Sequence, residues 1–188
     1  RLSSDCGLWL GPRGGYNYFI KFARFLEENG NGKLNRNSSD ICTNHKVYCE
    51  KLKTFFLDCQ QRFDVNYLKL DGFSARPPQP DPQGNYISGG YQGMYYVTEH
   101  WERWIDIFQA MRNQRGEKRN DLWINLTCYV NPSPWFLQWG NSVWMQNSQD
   151  IGRLNVKRLS QLDQLLSYRD DRYFDFVKTR AFQFQIGR

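Results

Sequence analysis

The chain has 188 residues, 40% hydrophobic and 16% aromatic, with seven Trp, eleven Tyr, five Cys and a formal net charge of +6. That length holds one ordinary domain with a real core, and no segment is apolar enough to cross a membrane. Basic residues are dispersed among acids without a dense run, a weak footprint for nucleic acid, and cysteines without CxxC spacing argue against structural zinc and a complete disulfide framework.

The first element in chain order is a strand-like run, Cys6-Gly7-Leu8-Trp9-Leu10, ended by Gly11-Pro12-Arg13-Gly14-Gly15. Residues 16–28 then place Phe19, Ile20, Phe22, Ala23, Phe25 and Leu26 at helical spacing. Asn29-Gly30-Asn31-Gly32 stops that helix, and a polar loop runs to about Ser39. Residues 40–43 read as a short strand. Asn44 is placed to N-cap a helix over residues 45–63, with Val47, Leu52, Phe55, Phe56 and Cys59 along one face. Cys49 and Cys59 in this helix read as buried thiols.

Val65-Asn66-Tyr67-Leu68-Lys69-Leu70-Asp71 follows as a short buried strand, and Gly72 breaks it. Alternation puts Lys69 and Asp71 on one side of that strand, at its C-terminal end. Residues 73–93 form the longest irregular stretch, rich in Pro, Gly and Tyr. A loop of that length after a strand end is either a binding lid, favoured here by the tyrosines, or a disordered insertion. Residues 98–112 read as a helix and residues 122–129 as the clearest buried strand, with Asn125 and Thr127 on one face. Asn131-Pro132-Ser133-Pro134-Trp135 is a rigid turn. A short strand over 142–145, a mostly helical run over 156–178 and the start of one more strand at 181–184 complete the chain.

Strands alternating with helices of ten or more residues predict an α/β fold with a parallel sheet. Polar or aromatic residues recur at or just past the strand C-termini: Trp9 and Arg13, Lys69 and Asp71, Cys128 and Asn131, Trp144 and Asp150. In a (β/α)8 TIM barrel those ends converge on one face and build the active site. A full barrel takes ~250 residues, so the chain is expected to be a single region, 1–188, forming the middle strands of a barrel within a larger protein. The absence of an initiator Met fits that expectation.

Few reaction classes suit these residues. There is no GxGxxG, GxxxxGK[ST] or GxSxG, and neither His45 nor His100 adjoins a candidate nucleophile. Glycoside hydrolysis needs only two carboxyl groups, helped by aromatic platforms for the sugar ring, and needs neither metal nor cofactor. Asp71 is the natural nucleophile, and Lys69 beside it offers positive charge and hydrogen bonds to sugar hydroxyls. Two other classes stay open. A carbohydrate-binding module has no need of Lys69 and Asp71 on one strand face, and a nucleic-acid-binding domain predicts affinity that falls steeply with salt. Asn37-Ser38-Ser39 and Asn125-Leu126-Thr127 match the glycosylation sequon, the second incidentally, inside a buried strand.

The helix followed by Val-Asn-Tyr-Leu-Lys-Leu-Asp-Gly resembles the melibiase-type α-galactosidases and the related α-N-acetylgalactosaminidases and raffinose-synthase-like enzymes. In that family an Asp two residues after a Lys on a barrel strand is the nucleophile. Asp40-Ile41-Cys42-Thr43-Asn44 resembles the family's LDLSNP approach to that strand, and Gly7-Leu8-Trp9-Leu10-Gly11-Pro12 its GIWFEP strand. Leu126-Thr127-Cys128 is similar to the strand with the substrate-side Cys, and Val143 to Asp150 stands in place of the WxSDxxD stretch that holds the acid/base. The chain departs from the pattern in three places. Asn131-Pro132-Ser133-Pro134-Trp135 replaces a Gly-rich, Arg-containing segment, and Gly11-Pro12-Arg13 stands where a Glu follows the first strand. Asn147 takes the position of the acid/base Asp, leaving Asp150 to match the later acid. The resemblance implies a retaining glycosidase acting on terminal α-linked galactose or N-acetylgalactosamine. Asp71 would be nucleophile, Asp150 the candidate acid/base, and Trp9, Arg13, Lys69, Cys128, Asn131 and Trp144 would contact substrate. A different carboxylate as acid, or a sugar binder on a hydrolase frame, are the alternatives. The expected partner is a carbohydrate substrate, with no nucleic acid and no membrane.

Overall fold

The computed structural model describes residues 5–14, 19–35, 40–72, 91–116, 121–127, 134–144 and 156–179. In chain order the elements are β1 (Cys6–Leu10), α1 (Phe19–Glu28), β2 (Leu34–Asn35), β3 (Asp40–Ile41), α2 (Lys46–Phe63), β4 (Val65–Asp71), α3 (Tyr91–Arg115), β5 (Trp123–Thr127), a 3-10 turn (Pro134–Gln138), β6 (Ser142–Trp144) and α4 (Gln161–Thr179). β1, β4, β5 and β6 form one sheet in that order, every neighbouring pair parallel. Spatial order thus follows chain order without reversal, and the strands expected at Cys6–Leu10, Val65–Asp71 and 122–129 run in one direction, as expected.

Alternation gives the sheet two unlike faces. Leu68, Leu70, Ile124 and Leu126 are fully buried on one of them, and they share a core with Leu52, Phe56 and Cys59 of α2 and Trp104, Ile107, Phe108 and Met111 of α3. Each such side chain contributes about 1.5–3 kcal/mol on burial, so this layer holds the strands in register. The Trp104 indole N–H donates to the Thr43 carbonyl at 3.2 Å, which meets the polar edge of a fully buried ring. On the opposite face stand Trp9, Tyr67 and Trp123, all exposed, with Lys69, Asp71, Asn125 and Thr127.

Several local expectations are corrected. The polar loop before residue 40 contains β2, which pairs antiparallel with β3 outside the main sheet. The residue before α2 is His45, without a side-chain cap; Asn44 accepts from the Cys42 thiol at 2.8 Å and donates to Glu99 at 3.4 Å instead. The buried stripe of α2 is Tyr48, Cys49, Leu52, Phe56, Cys59 and Gln60, whereas Val47 and Phe55 are exposed. A helix has apolar residues on more than one face here, and the packing of α3 against it chooses the phase. α3 begins at Tyr91, earlier than residue 98, so Tyr91, Tyr95 and Tyr96 belong to a helix. The lid expected over 73–93 lies, up to residue 90, outside the described residues, as do the sequon at Asn37 and the strand at 181–184.

Burial pushes the Cys49 thiol up to about 12, which keeps it protonated and inert. Cys6, Cys42, Cys49 and Cys59 are in the thiol form. No helix among the described residues is long and apolar enough to cross a membrane.

His100 is buried on α3, its ring 6.0 Å from that of Trp101 and 6.1 Å from that of Trp104. Desolvation lowers its pKa to about 3, against ~6.5 in an unfolded chain. The native state therefore favours neutral His100, and this contribution is complete above pH ~6.5 and is lost as pH falls towards 3. Between pH 7 and 5 carboxylates barely titrate. Wild type is expected to lose urea resistance across that window, and His100→Phe to flatten the slope. Parallel decline of the two proteins would show that another group is responsible.

Candidate functional site

The candidate site lies at the C-terminal edge of β1, β4 and β5, on the face away from the helices. Register pairs Trp9 with Lys69 and Lys69 with Asn125; one step further, Asp71 pairs with Thr127 and Thr127 with Trp144. Paired residues of neighbouring strands share a face, so the side chains of Trp9, Lys69 and Asp71 converge. The Trp9 indole N–H donates to Asp71 Oδ2 at 3.3 Å, and Lys69 Nζ sits 4.5 Å from the centre of the Trp9 ring. Trp9 is 61% exposed, so the indole presents a broad apolar surface at the mouth of the sheet.

Gly72 lets the chain leave β4 immediately after Asp71. Its φ is 66°, a left-handed value that costs a residue with a Cβ about 1 kcal/mol or more, and its N–H still donates to Thr127 O at 3.2 Å. The ladder thus extends one residue past the carboxylate and fixes its backbone between two strands.

On β5 and β6, Asn125 Nδ2 donates to Ser142 Oγ at 2.7 Å and the Trp123 indole N–H reaches the same oxygen at 3.3 Å. β6 is held against β5 by Asn141, whose N–H donates to Ile124 O at 2.8 Å and whose Oδ1 accepts the Ile124 N–H at 2.9 Å. A Cβ on Gly140 would lie 2.8 Å from the Leu126 side chain, so glycine is what lets this turn approach β5.

Arg13 follows β1 in the loop after Trp9. Its guanidinium forms an ion pair with Asp40, which is 2% exposed, and the adjacent Pro12 carbonyl accepts the buried Tyr48 hydroxyl. These contacts fasten the loop after β1 to the β2–β3 hairpin and to α2. Of the remaining candidates, Trp144 ends β6 with its backbone opposite Thr127, while its side chain, together with Cys128, Asn131 and Asp150, lies outside the described residues. No cluster of three or more His, Cys, Asp or Glu able to hold a metal occurs among the described residues.

The interactions of Asp40, Tyr48 and Ser142 have no signal in the local sequence. Asn125 and Thr127 did have a signal, as polar residues inside an apolar strand. A carboxylate at the mouth of parallel strands, held by an indole donor beside an ammonium group and an open aromatic surface, is suited to nucleophilic attack on, or polar capture of, a polyhydroxylated ring. No protein-family model, curated protein or solved structure matches this chain.

Proposed function

We propose that the chain forms part of a (β/α)8 barrel of the melibiase type and carries the nucleophile of a retaining glycosidase acting on α-linked galactose or N-acetylgalactosamine. The observation that carries this reading is the convergence of Trp9, Lys69 and Asp71 at the C-terminal edge of a parallel sheet. Barrel closure is favoured by a strand order that follows the chain without the reversal at which doubly wound sheets bind ligands. It is favoured too by a face whose rings and polar groups would become the barrel interior.

In this mechanism Asp71 attacks the anomeric carbon while an acid protonates the departing glycosidic oxygen. Water then attacks the glycosyl–Asp71 ester, and the same acid, now a base, takes the water proton. Trp9 holds the carboxylate through Oδ2, and Lys69 faces the sugar hydroxyls. Asp150, following β6 in the chain, is the proposed acid/base. Retention requires the two carboxyl groups ~5–5.5 Å apart.

The test is hydrolysis of 4-nitrophenyl α-galactoside and α-N-acetylgalactosaminide, with the anomer of the first-formed product read by NMR. Retention of the α configuration is expected, and inversion would refute the double-displacement route. Asp150→Ala should slow an alkyl α-galactoside at least ~10²-fold, while the nitrophenyl substrate, whose leaving group needs little protonation, changes far less. Equal effects on both would move the acid to another carboxylate. Saturable sugar binding without turnover of any of these substrates would identify a non-catalytic carbohydrate-binding protein.

A further inference from the structure

Two polar atoms beside Asp71 have no hydrogen-bond partner although both are buried: Asn125 Oδ1 and Thr127 Oγ1. Thr127 is 1% exposed and is the register partner of Asp71; Asn125 is the register partner of Lys69. A buried polar group left unmet carries its desolvation cost uncompensated, and each one calls for an explanation.

The neighbouring contacts define what is missing. Ser142 Oγ receives hydrogens from both Asn125 Nδ2 and Trp123 Nε1, which occupies its two lone pairs and leaves its own O–H to donate. Turning the Asn125 amide over would let Ser142 donate to its oxygen, but the amide NH2 would then be the unmet group. In either orientation Asn125 and Thr127 offer adjacent donor and acceptor capacity with nothing to receive it. Strands lie ~4.8 Å apart and alternate residues on a strand ~6.6 Å apart, so Asp71, Thr127 and Asn125 fall within the span of a single sugar ring. Lys69 and Asp71, both partly exposed, flank it in the register.

We propose that Asn125 and Thr127, with Ser142 orienting the amide, form the subsite that reads the hydroxyl pattern of the sugar ring held at Asp71. The ligand class is a monosaccharide unit with neighbouring free hydroxyls, one of which satisfies Thr127 and another Asn125. The inference rests on the glycosidase reading above, and it makes these β5 residues the determinants of which sugar is accepted. A site that hydrogen-bonds a hydroxyl discriminates strongly against the analogue lacking it, because its own polar groups are then left unmet.

The test uses methyl α-galactopyranoside and its 2-, 3-, 4- and 6-deoxy analogues, titrated calorimetrically into wild type, Thr127→Val and Asn125→Ala, with urea unfolding of each protein without sugar. Thr127→Val removes an unmet hydroxyl at nearly constant shape, so ligand-free stability should hold or rise while affinity for the parent sugar falls about tenfold or more. One deoxy sugar should bind wild type and Thr127→Val equally, which identifies the hydroxyl that Thr127 reads, and a different one should do the same for Asn125→Ala. If both variants bind the parent sugar as wild type does, the subsite is refuted and the Asp71 reading survives. If Thr127→Val is destabilised and no deoxy sugar closes the gap, Thr127 is a packing residue and the subsite is again refuted. Wild type that binds no sugar of the panel sinks the glycosidase reading and the subsite with it.

Discussion

Asp71→Asn is expected to abolish turnover of α-galactosides, by at least ~10⁴-fold in kcat, while sugar affinity stays within a few-fold of wild type. The amide keeps the size of the carboxyl group, and its oxygen can still accept the Trp9 indole N–H seen at 3.3 Å. What it loses is the anionic oxygen that attacks the anomeric carbon in the proposed mechanism, a contribution made only on the way to the transition state, so kcat should fall and ground-state binding should not. Burst kinetics with a 2,4-dinitrophenyl α-galactoside give a sharper readout. Wild type should accumulate a glycosyl-enzyme and release aryl alcohol in a burst, and Asp71→Asn should show none. Near-normal turnover by Asp71→Asn on both nitrophenyl substrates would disprove the nucleophile assignment. Loss of turnover accompanied by unfolding would instead reveal a structural role, which circular dichroism separates.

The second large effect is on stability. Asp40→Ala is expected to cost about 3 kcal/mol in urea unfolding, because it leaves the Arg13 guanidinium without the carboxylate that faces it. Breaking a buried pair typically costs ~3–5 kcal/mol, and the lower end applies because Arg13 is itself 30% exposed. Replacing both partners by apolar residues, Arg13→Met with Asp40→Leu, should recover most of the loss, as removal of two opposed charges is often near neutral. The pair anchors the loop directly after β1, so Asp40→Ala should also loosen Trp9 and raise KM for the sugar. A cost under ~1 kcal/mol, the range of exposed ion pairs, would show that the contact is superficial.

The strands of the parallel sheet were legible in the sequence because a half-buried strand writes its two faces into alternate residues. Val65 to Asp71 displays Leu68 and Leu70 on one side and Tyr67, Lys69 and Asp71 on the other, and that alternation alone put Lys69 and Asp71 together at a strand end. Trp9 was legible as a strand residue from Cys6–Leu10 and its glycine-rich stop. Parallel pairing followed from helices long enough to return the chain to the same edge.

What the sequence left open was every relation between residues far apart in the chain. Nothing local says that Trp9 bonds Asp71, 62 residues on, because that depends on the register of β1 on β4. Arg13 shows the same limit: its place after a strand end says nothing of Asp40, 27 residues on, and only the arrival of the β2–β3 hairpin brings the two into an ion pair. The phase of α2 failed for a similar reason. Val47 and Phe55 are as apolar as the residues that are buried, and the choice between overlapping stripes falls to Trp104, Ile107 and Phe108 of α3. Alternation and turn chemistry act over a few residues and are carried by the sequence itself. Register, helix phase and charge pairing are decided by surfaces that meet only when the chain has folded.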